Sequence, residues 1–149
     1  MVYLGADHRG YLLKERIKVH LPGWGYEFLD LGASVYDRDD DYSDIAVRVG
    51  EKVVETKGKG VVICGSGIGA CVAANKVVGA RAGVCLLAGQ ARAGRNDDDM
   101  NILCLNADMV SDEDNLEILR VFLETPFGSE ERYVRRINKI KDYESKKCS

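Results

Sequence analysis

Short apolar runs alternate with amphipathic stretches along the whole chain, and each change of period marks an element. Val2–Ala6 reads as a first strand, and Tyr11–Leu21 follows with apolar residues at helical spacing. Pro22-Gly23-Trp24-Gly25 breaks that helix. Tyr26–Leu31 reads as a second strand, Asp37–Asp44 as an acidic loop and Ile45–Thr56 as a second helix. Val61-Val62-Ile63-Cys64 is apolar without interruption, the mark of a strand covered on both faces. Gly65–Gly69 forms a loop, and Ala70–Lys76 opens a helix. Arg81–Leu87 is expected as a fourth strand, Ala88–Asp97 as a helix and Asn101–Leu105 as a fifth strand. Asp112–Leu123 predicts a helix whose acidic first turn suits the helix dipole. After a break at Thr125–Ser129, Glu130–Lys147 predicts a last, highly charged helix, with residues from about 144 to 149 as a polar tail.

This β-α-β-α order predicts an α/β fold: a three-layer, doubly wound, Rossmann-like sheet of about five parallel strands with a C-terminal helix. No repeat, low-complexity segment or linker divides the 149 residues, so residues 1–149 are expected to form a single domain. In such folds ligands bind beyond the carboxyl ends of the strands. The rule directs attention to Asp7-His8 after the first strand and to Cys64–Gly69 after the third.

Composition narrows the picture by exclusion. A net charge of −3 gives no general reason to expect a nucleic-acid partner. No apolar run approaches the roughly 20 residues of a membrane helix. The segment Met1–Asp7 lacks the basic and apolar parts of a signal peptide, so export is not expected. The five cysteines (Cys64, Cys71, Cys85, Cys104 and Cys148) are odd in number and are not spaced as paired CxxC knuckles. With only His8 and His20 beside them, no zinc site is expected. Cys85 and Cys104 lie in apolar runs and are expected to fill the core. Cys148 lies in the polar tail and is assigned no role. A reducing cytoplasm fits this usage.

The segment Cys64-Gly65-Ser66-Gly67-Ile68-Gly69 carries the most chemical information. A glycine-rich turn between a buried strand and a helix exposes several backbone N–H groups, which together with the helix dipole stabilise negative charge. A cysteine at the strand end is placed where its thiolate is favoured. That pairing suits an enzyme that removes a carbon-bound proton and holds the resulting enediolate, with Ser66 adding a hydroxyl donor. A tight turn around an inert buried thiol is the structural alternative. The P-loop pattern is absent. A dinucleotide reading matches Gly65, Gly67 and Ala70, yet no Asp or Glu occurs between Gly69 and Asp97 to take a ribose. Asp7 could bond a sugar hydroxyl and His8 a phosphate or hydroxyl, or Asp7 could cap the following helix. Arg132 and Arg136, four apart, share one helix face and could clamp a phosphate, or simply be solvated. His20, before Pro22, is expected to be structural.

Together these segments resemble the type B ribose-5-phosphate isomerase family, which also contains galactose-6-phosphate and allose-6-phosphate isomerases. The resemblance runs from Gly5-Ala6-Asp7-His8-Arg9-Gly10 to about Tyr143. Its specific part is Val62–Gly69, followed by Ala73-Ala74-Asn75-Lys76 and Gly79-Ala80-Arg81-Ala82. Asp41-Tyr42-Ser43-Asp44 resembles the family's DYPD loop. The resemblance implies that Cys64 is the base moving a proton between C1 and C2, and that Gly65, Ser66, Gly67, Ile68 and Gly69 form the anion hole. It implies that Asp7 and His8 contact substrate, that Tyr42 lines the pocket, and that Arg132 and Arg136 bind the phosphate across a dimer interface. Homodimers or dimers of dimers with shared pockets are implied, and no metal or organic cofactor.

Two departures stand out. The family usually carries HNDxNVL where this chain has Asn96-Asp97-Asp98-Asp99-Met100-Asn101-Ile102-Leu103. Asp97 then stands at the ring-opening histidine and Asp98 at the asparagine. An aspartate does that work only if its surroundings raise its pKa well above about 4. The second departure is Asn106-Ala107-Asp108, where the family commonly has a phosphate-binding Gly-x-Arg. An acid there is expected to repel the phosphate. The expected activity is aldose–ketose isomerisation of a sugar phosphate, by default ribose 5-phosphate to ribulose 5-phosphate. The alternatives are a tetrose or hexose phosphate as substrate, or a non-catalytic sugar-binding paralogue.

Overall fold

The structure, a computed structural model, describes residues 1–147; Cys148 and Ser149, and with them the expectation for Cys148, lie outside the described residues. Five strands form one parallel sheet: β1 (Val2–Ala6), β2 (Phe28–Asp30), β3 (Lys59–Cys64), β4 (Ala82–Val84) and β5 (Ile102–Asn106), in the order β2-β1-β3-β5-β4. The helices are α1 (Tyr11–His20), α2 (Tyr42–Thr56), α3 (Ile68–Ala74), α4 (Ala88–Asp98), α5 (Asp112–Glu124) and α6 (Glu131–Lys147). A 3-10 turn at Pro22–Trp24 follows α1, as the Pro-Gly break predicts. The three-layer, doubly wound fold is the one expected from the alternation.

Side chains alternate along each strand, so the sheet has two cores. Val2, Leu4, Val61, Ile63, Leu103 and Leu105 join Leu13, Ile17 and Phe122 under α1, α4 and α5. Tyr3, Val62, Cys64, Ile102 and Cys104 face α2 and α3 with Val49, Val53 and Ala70. Cys85 and Cys104 are both buried, as their apolar context predicts. On the α2 side, a Cβ at Gly5 would lie 2.6 Å from Ile45 and one at Gly60 2.8 Å from Val53. Glycine in β1 and β3 is therefore what lets α2 lie this close.

Element ends depart from the sequence reading for identifiable reasons. Helix α2 begins at Tyr42, not Ile45, because its first turn is exposed and leaves no apolar signal until Ile45. Helix α3 begins at Ile68, inside the expected loop. Strand β4 covers only Ala82–Val84 of the expected Arg81–Leu87. Leu86 and Leu87 are exposed, and their amides donate to Gln90 Oε1 at 2.8 and 3.2 Å at the start of α4. Strand β2 is likewise shorter than Tyr26–Leu31. Residues 144 to 147 of the expected polar tail are the end of α6.

Candidate active site

The chain leaves β1 toward β2 on one side and enters β3 on the other, so the sheet order reverses between β1 and β3. Loops diverge above such a point and leave a crevice at the carboxyl ends. Here a cavity of about 510 Å³ opens there, lined by Asp7, His8, Arg9, Tyr42, Cys64, Gly65, Ser66, Gly69, Asp108 and Met109.

Cys64 is the last residue of β3 and is only 4% exposed. The loop after it turns on Gly67, whose φ of 78° is in the left-handed region that glycine takes without strain. The turn brings the Gly67 N–H to Cys64 Sγ at 3.2 Å, a donor that favours negative charge on sulfur. The Ile68 N–H donates to Ser66 Oγ at 3.2 Å, which leaves the Ser66 hydroxyl proton for an oxyanion. Gly69 admits the Tyr42 ring: a Cβ there would lie 2.6 Å from it. Gly67 and Ile68 thus shape the loop and orient its polar atoms without lining the cavity, whereas Gly65, Ser66 and Gly69 line it.

The second wall comes from the end of β1. Gly10 brings α1 onto β3; a Cβ there would lie 2.7 Å from the Ile63 carbonyl oxygen. Asp7 is buried, and its Oδ1 accepts from the amides of Arg9 at 3.0 Å and Gly10 at 3.1 Å. It therefore turns the chain into α1 and also faces the cavity. Burial pushes its carboxyl above the ordinary aspartate value, against the pull of the Gly10 amide, His8 and the Arg9 amide. His8 is fixed by a residue the sequence reading passed over: Asp40 Oδ1 accepts from the His8 N–H at 2.8 Å and lies 2.9 Å from Nδ1. That contact orients the ring with Nε2 free to act on a ligand.

Asp108 does not stand alone. Its amide donates to the Gly65 carbonyl at 3.0 Å, and its carboxylate is ion-paired with Arg9. A Cβ on Gly65 would meet both partners, at 2.5 Å from Asp108 Oδ2 and 2.7 Å from Arg9 Nε. A guanidinium from the first loop thus stands against the acid at Asp108. Arg9 and Asp108 are 99 positions apart, and only the parallel sheet brings them together.

Besides Gly67 and Ile68, four expected site residues do not line this cavity within one chain: Asp97, Asp98, Arg132 and Arg136. Asp97 and Asp98 lie at the carboxyl end of α4, which leads from β4 back to the amino end of β5, the end of the sheet away from Cys64. There Asp97 Oδ1 accepts from Asn96 Nδ2 at 2.7 Å. Arg132 and Arg136 are exposed on α6, with Arg132 bonded to Tyr133 and paired with Glu130. Tyr133 and Ile137 turn the helix's other face into the protein. Among the described residues no group of three or more His, Cys, Asp or Glu is placed to hold a metal.

The family model described as Ribose/Galactose Isomerase matches residues 2–140. The chain belongs to that family. Among ribose/galactose isomerase relatives, a probable ribose-5-phosphate isomerase B of Mycoplasma genitalium is 39% identical over 145 residues, covering 96% of this chain and 95% of the relative. Ribose-5-phosphate isomerase B of Mycobacterium tuberculosis is 39% identical over 144 residues, covering 96% and 89%. The crystal structure of the Mycoplasma genitalium enzyme with bound ribulose-5-phosphate superposes with a TM-score of 0.93 at 38% identity, covering 97% of this chain and 95% of that one. Ribose-5-phosphate isomerase B of Clostridium thermocellum matches with a TM-score of 0.92 at 38% identity over 98% of both chains.

Proposed function

We propose that this chain isomerises ribose 5-phosphate and ribulose 5-phosphate, with Cys64 as the base. The observation that carries the reading is the Cys64 thiol at the end of β3, held by the Gly67 N–H in a cavity shared with Asp7 and His8. In the aldose-to-ketose direction the thiolate takes the C2 proton of the open-chain sugar. The electron pair passes into a C1–C2 enediolate, and the thiol returns its proton to C1. The Ser66 hydroxyl and the loop amides balance charge on the enediolate oxygens. Asp7 and His8 bind sugar hydroxyls, and Tyr42 closes one side.

Arg132 and Arg136 bind the phosphate, and Asp97 and Asp98 act at the ring oxygen, each reaching the cavity from a partner copy in a homodimer or a dimer of dimers. Arg132 and Arg136 are exposed on α6, and Asp98 and the half-buried Asp97 lie at the end of α4, away from their own Cys64, which supports that arrangement. Arg9, anchored by Asp108, adds positive charge inside the cavity. The pathway served is one that interconverts pentose phosphates. A cytoplasmic setting suits four free cysteines, and no described helix is long and apolar enough to cross a membrane.

The test is an assay of four- to six-carbon aldose phosphates with the parent and Cys64→Ala proteins. The parent should turn over ribose 5-phosphate, and Cys64→Ala should lose activity by several powers of ten with its fold unchanged. A folded Cys64→Ala protein with parental activity would exclude the mechanism. A tetrose phosphate is the second reading, favoured by Asp97 at the ring-opening position. A clear parental preference for the shorter, open-chain sugar in the same assay would select it.

A further inference from the structure

At the end of the sheet opposite Cys64 lies a cavity of about 400 Å³ that the isomerase reading does not use. Its charged lining is Lys57, Lys59, Arg81, Arg95 and Lys141 against one acid, Asp99, in a protein whose net charge is −3. The imbalance is only partly relieved locally: Glu144 approaches the lining, where its carboxylate accepts from the Gly79 N–H at 3.2 Å. Arg81 and Arg95 share the Asp99 carboxylate, each at 2.9 Å. Lys59 Nζ donates to the Leu123 carbonyl at 3.0 Å and, among the described residues, forms no salt bridge, with Asp99 the nearby acid. Among the described residues the ammoniums of Lys57 and Lys141 have no ion pair or hydrogen bond. Burial and the nearby Arg95 hold the Lys59 ammonium below its ordinary pKa, against the pull of Asp99.

The backbone is committed to this geometry. Lys57 (φ 57°) and Asp99 (φ 47°) both take left-handed conformations that favour glycine. Arg81 Nε is fixed by the Asp99 carbonyl at 3.0 Å, and Arg95 Nη1 by the Met100 carbonyl at 2.6 Å. Two guanidiniums and the Lys59 ammonium are therefore preset by backbone carbonyls, and the ammoniums of Lys57 and Lys141 can adjust. That combination meets a multiply charged anion with forked donors and point charges together.

The geometry points to a second ligand site here, at the amino ends of β3 and β5, that takes a small phosphorylated metabolite through its phosphoryl group. The cavity volume is within the range of small-molecule sites. The acidic net charge argues for a compact anion over a nucleic acid. The proposal is independent of the isomerase reading, since it uses none of the residues around Cys64.

Calorimetric titration of the full chain with inorganic pyrophosphate tests it. The titration is run in the Arg132→Ala/Arg136→Ala background, which removes the arginines assigned to the catalytic phosphate. One pyrophosphate should bind per chain with a Kd below about 1 mM at low ionic strength. Adding Lys57→Asn and Lys141→Glu should weaken it at least about tenfold; asparagine is chosen at position 57 because it tolerates the left-handed backbone. With Arg132 and Arg136 intact, the Lys57→Asn/Lys141→Glu protein should keep parental isomerase activity, which shows that it folds. Failure of pyrophosphate to bind at 10-fold above that concentration, or unchanged affinity after the lysine substitutions, overturns the proposal. Citrate binding as tightly as pyrophosphate overturns the phosphoryl assignment.

Discussion

At the scale of single residues, the Arg9–Asp108 pair alters how the site is charged. Both side chains are substantially exposed, and an exposed ion pair by itself contributes little to stability. Its value here is placement, because both groups sit over Gly65 at the mouth of the cavity. Removing Arg9 alone would leave the Asp108 carboxylate facing an incoming phosphate dianion. Arg9→Ala should therefore raise KM for ribose 5-phosphate about tenfold or more, the loss of one charge-assisted contact, with little change in kcat. Arg9→Ala/Asp108→Ala should recover part of that loss, since the repelling acid is gone too. Steady-state kinetics on both variants checks this. Equal KM values in parent, single and double variants would reduce the pair to a surface contact. Cys64, Ser66 and His8 were legible as candidate site residues because motif and strand end coincide in the sequence. Arg9 was not, because nothing local to it signals a partner at position 108.

At the scale of elements, α1 is tied to β2 by a buried lysine. The Lys14 side chain is fully buried and pairs with Asp30, which also binds Lys18 at 3.0 Å. Glu15 binds both lysines, at 2.7 and 2.9 Å. Burial opposes ionisation of Asp30, but the two ammoniums and the Gly32 amide outweigh it and hold its carboxyl below the ordinary value. The folded pKa is depressed, so the stabilisation is present above the unfolded value near 4 and is lost as pH falls through the folded one. Asp30→Asn leaves the buried Lys14 with only the half-exposed Glu15 and should cost about 3 kcal/mol at neutral pH. Urea unfolding across pH should show the gap between variant and parent closing on acidification below about pH 4. A gap independent of pH would locate the cost in packing instead of charge. In the sequence Lys14 reads as one more polar position on an amphipathic helix. Its burial is decided by β2 lying against α1.

At the scale of the whole molecule, the proposed reading has a partner copy complete each site, and this has a sharp consequence. If Arg132 and Arg136 serve the partner's Cys64, two dead proteins can restore each other. In a mixed dimer of a Cys64→Ala chain with an Arg132→Ala/Arg136→Ala chain, one of the two pockets has every native group. Co-expressed or unfolded and co-refolded mixtures should regain about a quarter of parental activity, the statistical share for a two-fold dimer, while each variant alone stays inactive. No recovery in a mixture shown by mass spectrometry to contain mixed dimers would assign each pocket to a single chain. The sequence by itself determined the order of strands and helices, the parallel sheet, the glycine loop after β3 and the thiol at its head. Those follow from local periodicity, from glycine's conformational freedom and from the handedness of β-α-β connections, all of which act over a few residues. Only the tertiary structure decided that Asp40 orients His8, that Arg9 balances Asp108 and that Asp97, Asp98, Arg132 and Arg136 stand away from their own Cys64. Each of these depends on which strand ends are neighbours and which way a helix runs, and those relations join residues that are tens of positions apart.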